Sequence, residues 1–248
     1  MLREFFVNEH PHFLFKPFGL IHNIFTIIAI IAFIIIYLNR NRISKIPIKK
    51  SQIFLKTCAI ILLLNMIIYT FGNLYYGSFD YREMLPFHLC FIANYMFIFA
   101  ILFNKQNILK LTIFISFIGP IPAILWPNLV STIDNFNFWQ LIISHHFFMN
   151  ISLFSYYAYN YHVTKKDYLH TFILLNILLL IVYPFNKIFN TNYIFTNYFP
   201  PNVLDLYPWL EPLPVIPVLE ILGLTISFII YFFLIRPRNN ELQSINNR

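Results

Sequence analysis

FGLIHNIFTIIAIIAFIIIYL, residues 18–38, carries no charged side chain and is followed at once by Arg40, Arg42, Lys45, Lys49 and Lys50. At about 1.5 Å per residue, a helix of this length covers the roughly 30 Å hydrocarbon core of a bilayer. A backbone in lipid must satisfy its own N–H and C=O groups, so the stretch reads as a transmembrane helix. Six more apolar stretches follow at residues 53–71, 86–103, 109–126, 138–159, 169–189 and 214–235. The expected fold is all-α: one polytopic membrane domain over residues 1–248 with seven transmembrane helices. In the fourth stretch Gly119, Pro120 and Pro122 should bend or break the helix near one end.

Composition agrees. Of 248 residues, 58% are hydrophobic and only 11% are charged, against about 25% charged in a soluble domain. Disordered, collagen-like and disulfide-dense secreted chains are excluded. Cys58 and Cys90 should lie near opposite ends of their helices, about 20 Å apart by helix rise, too far for a disulfide.

The net charge of +7 invites a nucleic-acid reading, but the positions of the charges refute it. Most basic residues fall in alternate connections: Arg40 to Lys56 after the first stretch, Lys105 and Lys110, Lys165 and Lys166, then Arg236, Arg238 and Arg248. Arg3, Lys16, Arg82 and Lys187 take the other side. Basic residues concentrate in cytoplasmic loops. The N-terminus is therefore expected outside and the C-terminus in the cytoplasm of a multi-pass cell-membrane protein, with membrane lipids as partners. Trp126, Trp139 and Trp209 fall near the outer boundary, as an aromatic belt would. The polar tail from Asn239 should fray. Residues 190–213, with Pro200, Pro201, Pro208 and Pro212, should form a stiff, extended outer loop, long enough to serve as a lid or binding element.

Ionisable side chains within the hydrocarbon call for a functional explanation. Counted at about 1.5 Å per residue, His22, His88, Cys90, His145, His146 and Glu220 all lie within about 12 Å of the outer ends of their stretches. Each alone has a plain reading: His88 at headgroup depth, Cys90 as a small core residue, Glu220 snorkelling or protonated. Asn65, Asn94 and Asn150 read as interhelical hydrogen-bond glue. Convergence on one layer makes the case for chemistry. Pro86 suits the first position of a helix, putting Cys90 one turn in, where the helix start favours the negative charge of a nucleophilic thiolate. Asn94 shares its face. The partner base must come from another helix, and His145 or His146 has the right depth. Glu220 could orient that imidazole.

Leu85-Pro86-Phe87-His88-Leu89-Cys90 resembles the Leu-Pro-x-His-Leu-Cys signature of a membrane family that includes the bacterial YwaF-type proteins and animal transmembrane protein 164. Ser144-His145-His146-Phe147 resembles the family's histidine-bearing helix. Asn192-Tyr193, Pro201, Leu204-Asp205 and Pro208-Trp209 resemble its outer loop. The resemblance implies a cysteine-centred acyltransferase moving fatty acyl chains between phospholipids and lysophospholipids, with Cys90 as nucleophile and His145 as base, and no cofactor. It also implies that Asn192, Tyr193, Asp205 and Trp209 form a substrate loop, while the convergence of polar groups puts His88, His146, Asn94, Glu220 and His22 in support. Two other classes compete. Six nitrogen, sulfur and carboxylate donors suggest a metal-dependent hydrolase, although no His-x-x-x-His or Cys-x-x-Cys pair is present. A polar outward vestibule suggests a transporter or a non-catalytic membrane subunit, whose function would survive loss of Cys90.

Overall fold

A computed structural model describes residues 2–7 and 13–240. Arg248 and most of the polar tail lie outside the described residues. Twelve α-helices follow in order: α1 (Leu2–Phe6), α2 (Leu20–Leu38), α3 (Arg40–Ile43), α4 (Ile48–Tyr76), α5 (Leu89–Leu102), α6 (Gln106–Ile118), α7 (Pro120–Leu125), α8 (Phe136–Leu141), α9 (Phe148–Tyr159), α10 (Lys165–Phe189), α11 (Pro201–Leu206) and α12 (Val215–Ile230). A π turn, Ile142–Phe147, joins α8 to α9, and a second, Tyr231–Ile235, extends α12. The described residues form no named strand; Leu14 and Ser131 make an isolated bridge.

All seven apolar stretches are helical. Five helices are long and apolar enough to cross a bilayer: Leu20–Leu38, Ile48–Tyr76, Gln106–Leu125, Lys165–Phe189 and Val215–Asn240. The third stretch gives the shorter Leu89–Leu102, and the fifth is split by its π turn. In the fourth, Gly119 separates α6 from α7, as its glycine and prolines require, yet its own backbone stays helical (φ −75°, ψ −55°).

Local chemistry sets the ends. Thr164 and Asp167 form a capping box at the start of α10, each meeting the other's backbone N–H. Gly77 (φ +77°) ends α4 in the left-handed region, where a side chain would be strained. Leu55, Ala59, Leu62, Met66 and Tyr69 make a buried stripe at spacings of three and four on α4. α5 packs between α4 and α6, and α9 packs against α2, α4 and α6. α10 and α12 lie on the outside of α6. Ile27, Ile31, Leu180, Ile181 and Phe228 point outward and are exposed. Such faces are stable only in an apolar solvent.

Residues 190–213 are not the extended loop their prolines suggested. Pro201 occupies the first turn of α11, and Pro208 opens a 3-10 turn, Pro208–Leu210. Proline's fixed φ pre-organises a helix start, so here it begins helices rather than preventing them. Pro86 does the reverse. It lies in a turn, and α5 starts at Leu89 with His88 as N-cap. Cys90 is therefore the second helical residue rather than one turn in.

Candidate functional site

The π turn carries the site. It widens the helix through Ser144-His145-His146, all three buried. His145 Nδ1 lies 3.0 Å from the Leu141 carbonyl and 2.9 Å from Ser144 Oγ. A carbonyl only accepts, so the proton sits on Nδ1 and the lone pair on Nε2. Nε2 makes no hydrogen bond to any described residue. The backbone thus holds His145 in the tautomer a general base needs, the task the sequence suggested for Glu220. Glu220 is half-buried on α12, which packs on α6, and reaches no imidazole among the described residues.

Asn94 links this turn to Cys90. It is fully buried, and its Nδ2 donates to the Cys90 carbonyl (2.8 Å) and the Ser144 carbonyl (2.9 Å). One amide therefore clamps the first turn of α5 to the residue before His145. The Cys90 thiol lies beside the backbone N–H groups of Cys90 and Phe91, two of the donors a helix start leaves unpaired. No hydrogen bond joins the thiol to His145 or His146 among the described residues. Both cysteines are free. Gly119 matters here: a Cβ on it would lie 3.3 Å from Cys90 N and 3.5 Å from Cys90 Cα. The missing side chain of Gly119 is what lets α5 approach so closely.

One wall is a plug built around Asn186. Its Oδ1 accepts from Tyr193 N–H (3.0 Å) and Thr191 Oγ1 (2.6 Å); its Nδ2 donates to the Tyr193 carbonyl (2.8 Å) and Thr196 Oγ1 (2.7 Å). Tyr193, fully buried, donates its hydroxyl to the Tyr81 carbonyl and accepts from Leu85 N–H (3.0 Å). Burial pushes its pKa up to about 12, so it stays a neutral donor. His88 packs on Tyr193 (5.0 Å) and Phe195 (5.3 Å) and accepts from Ile194 N–H at 3.4 Å. Ile194 and Phe195 have φ of 54° and 55°, a strained conformation costing on the order of 1–3 kcal/mol per residue. Asn192 holds the same turn, accepting from Asn197 N–H (3.0 Å) and donating to the Tyr198 carbonyl (2.9 Å).

Other candidates lie elsewhere. His22 is a tie: Phe18 N–H donates to its Nδ1 (2.9 Å) and its Nε2 donates to the Ile124 carbonyl (2.8 Å). Both ring nitrogens are occupied. Asp205 and Trp209 are exposed and form no part of the plug. The outer loop instead anchors through Asn202, which donates to the Trp126 carbonyl at 3.0 Å. Asn150 is interhelical glue, donating to the Ala29 carbonyl (3.2 Å), whereas Asn65 is buried with neither amide atom hydrogen-bonded among the described residues. The described residues hold no group of three or more His, Cys, Asp or Glu that could hold a metal ion. Sequence reasoning missed Leu141 and Asn186, and read Gly119 only as a helix breaker. Asn186, a polar residue inside an apolar run, was the one with a visible signal.

The family's sequence profile matches residues 8–234. The chain belongs to the TMEM164 family. No curated protein and no solved structure matches it. Membership accords with the His-Leu-Cys signature, the histidine-bearing turn and the Asn-Tyr plug. Together with the apolar helices it makes the chain a membrane protein.

Proposed function

We propose that the chain is a single seven-span unit of the cell membrane, N-terminus outside, that transfers acyl chains between phospholipids and lysophospholipids in the outer leaflet. The charge asymmetry of the connections supports the orientation, and α5 with the π-turned α8–α9 segment supplies the two spans beyond the five long helices. The observation that carries the chemistry is His145: Nδ1 pinned to a backbone carbonyl, Nε2 free, and its turn clamped by Asn94 to that of Cys90.

The steps follow. Nε2 takes the thiol proton as Cys90 Sγ attacks the ester carbonyl. The unpaired N–H groups at the start of α5 are placed to meet the developing oxyanion. The tetrahedral adduct collapses, the C–O bond breaks, and the lysophospholipid oxygen leaves with the proton from His145. An acyl thioester remains on Cys90. The hydroxyl of a second lysolipid gives its proton to Nε2 and attacks the thioester, and the thiol is regenerated. No reductant, oxidant or cofactor enters the balance. Catalytic pairs are often loose without substrate and tighten when it binds; here the turns carrying the two groups are tied together by Asn94.

The test is Cys90→Ala in purified protein reconstituted in vesicles. It should abolish both lysolipid acylation and labelling by a thiol-reactive acyl probe, while Cys58→Ala retains both. Undiminished acylation by Cys90→Ala would overturn the mechanism.

A further inference from the structure

His146 is 3% exposed, and neither Nδ1 nor Nε2 makes a hydrogen bond of ordinary geometry to a described residue; the nearby Leu141 carbonyl already accepts from His145 Nδ1. A neutral imidazole always carries one N–H and one lone pair, and leaving either unmet in a dry interior is unfavourable. The groups around it are equally unmet. Asn150, one turn on, donates Nδ2 to the His146 carbonyl (2.9 Å) and to the Ala29 carbonyl of α2 (3.2 Å), which leaves its buried Oδ1 without a donor. Thr26 has a buried hydroxyl without a partner. On α2 it lies between Ala29, tied to Asn150, and His22, which is within electrostatic reach of His146. All three therefore border the seam between α2 and the π turn.

We infer that this seam binds ordered water, one molecule at each ring nitrogen of a neutral His146. The two nitrogens diverge, so one molecule cannot serve both. A water accepting from the ring N–H can donate onward to Asn150 Oδ1. A water donating to the ring lone pair can accept from Thr26 Oγ1. Each then has at least two protein partners, the minimum for a buried water. Every unmet donor and acceptor of the seam is satisfied, and α2 is tied to the turn that carries His145. His22 lines the same seam but is closed to water, since its nitrogens are already spent on Phe18 and Ile124. The inference is independent of the thiol chemistry.

X-ray radiolytic labelling of the full chain in vesicles tests it, because a bound water generates hydroxyl radical in place and marks the nearest side chain. Mass spectrometry should find oxygen added to His146 and none above background on His22, which is buried to the same degree. Thr26→Val and Asn150→Leu should each reduce the His146 label. An unlabelled His146, equal labelling of His146 and His22, or a label indifferent to both substitutions would overturn the proposal.

Discussion

His145 and His146 are adjacent and almost equally buried, at 5% and 3% exposure, yet the two sides of their turn differ. On the His145 side every link is a direct protein bond: Leu141 and Ser144 to the ring, Asn94 across to α5, and the Asn186–Tyr193 plug closing one wall. On the His146 side the Asn150 amide hydrogen-bonds across to α2, and among the described residues the imidazole, the Thr26 hydroxyl and the Asn150 amide oxygen make no hydrogen bond. A side held by fixed bonds keeps one nitrogen in one tautomer, as proton transfer demands. A side with unmet groups suits small mobile molecules. Both fit on one turn because neighbouring residues on a helix point about 100° apart, so the two rings meet different surroundings.

The comparison can be broken in steps, and the largest expected effect is at His145. His145→Gln should lower lysolipid acylation by about 10²–10⁴-fold, the usual worth of a general base, without a matching fall in thermal stability in detergent; retained turnover would take the base role from His145. Next comes the clamp. Asn94→Leu leaves the Ser144 carbonyl without its side-chain donor and should cost about 1–3 kcal/mol, read as a lower melting temperature together with lost turnover. If stability falls while turnover holds, Asn94 is glue alone. The smallest effect is at the plug. Tyr193→Phe removes the hydroxyl between Tyr81 and Leu85, a loss of about 0.5–1.5 kcal/mol, and should speed hydrogen exchange at the Leu85 amide while sparing the π turn. Unchanged exchange there would mean the plug does not depend on that hydroxyl.

Much of the layout was legible because lipid imposes one rule on every span: long, apolar and helical. The polar residues worth asking about were legible for the same reason, since polar groups stand out against an apolar background. Their roles were not. His22 and His146 look alike in sequence, but the Ile124 carbonyl accepts from one and no described residue makes a hydrogen bond of ordinary geometry to the ring of the other. Glu220 looked like the partner for an imidazole until a backbone carbonyl four residues before His145 took its place. Asp205 and Trp209 fall within the resemblance yet face outward, whereas Tyr193, from the same loop, is fully buried. The prolines of residues 190–213 misled because proline at a helix start and proline in an extended segment have the same φ.

Apolar length, charge placement and the His-Leu-Cys signature were enough, from sequence alone, for an all-helical membrane chain of this family, because each is a property of a segment read against its solvent. Which imidazole is pinned, which is left open, and how near α5 comes to Gly119 were decided only in three dimensions. Those depend on which carbonyl or backbone atom a neighbouring helix brings within about 3 Å, and no local pattern along the chain encodes that meeting.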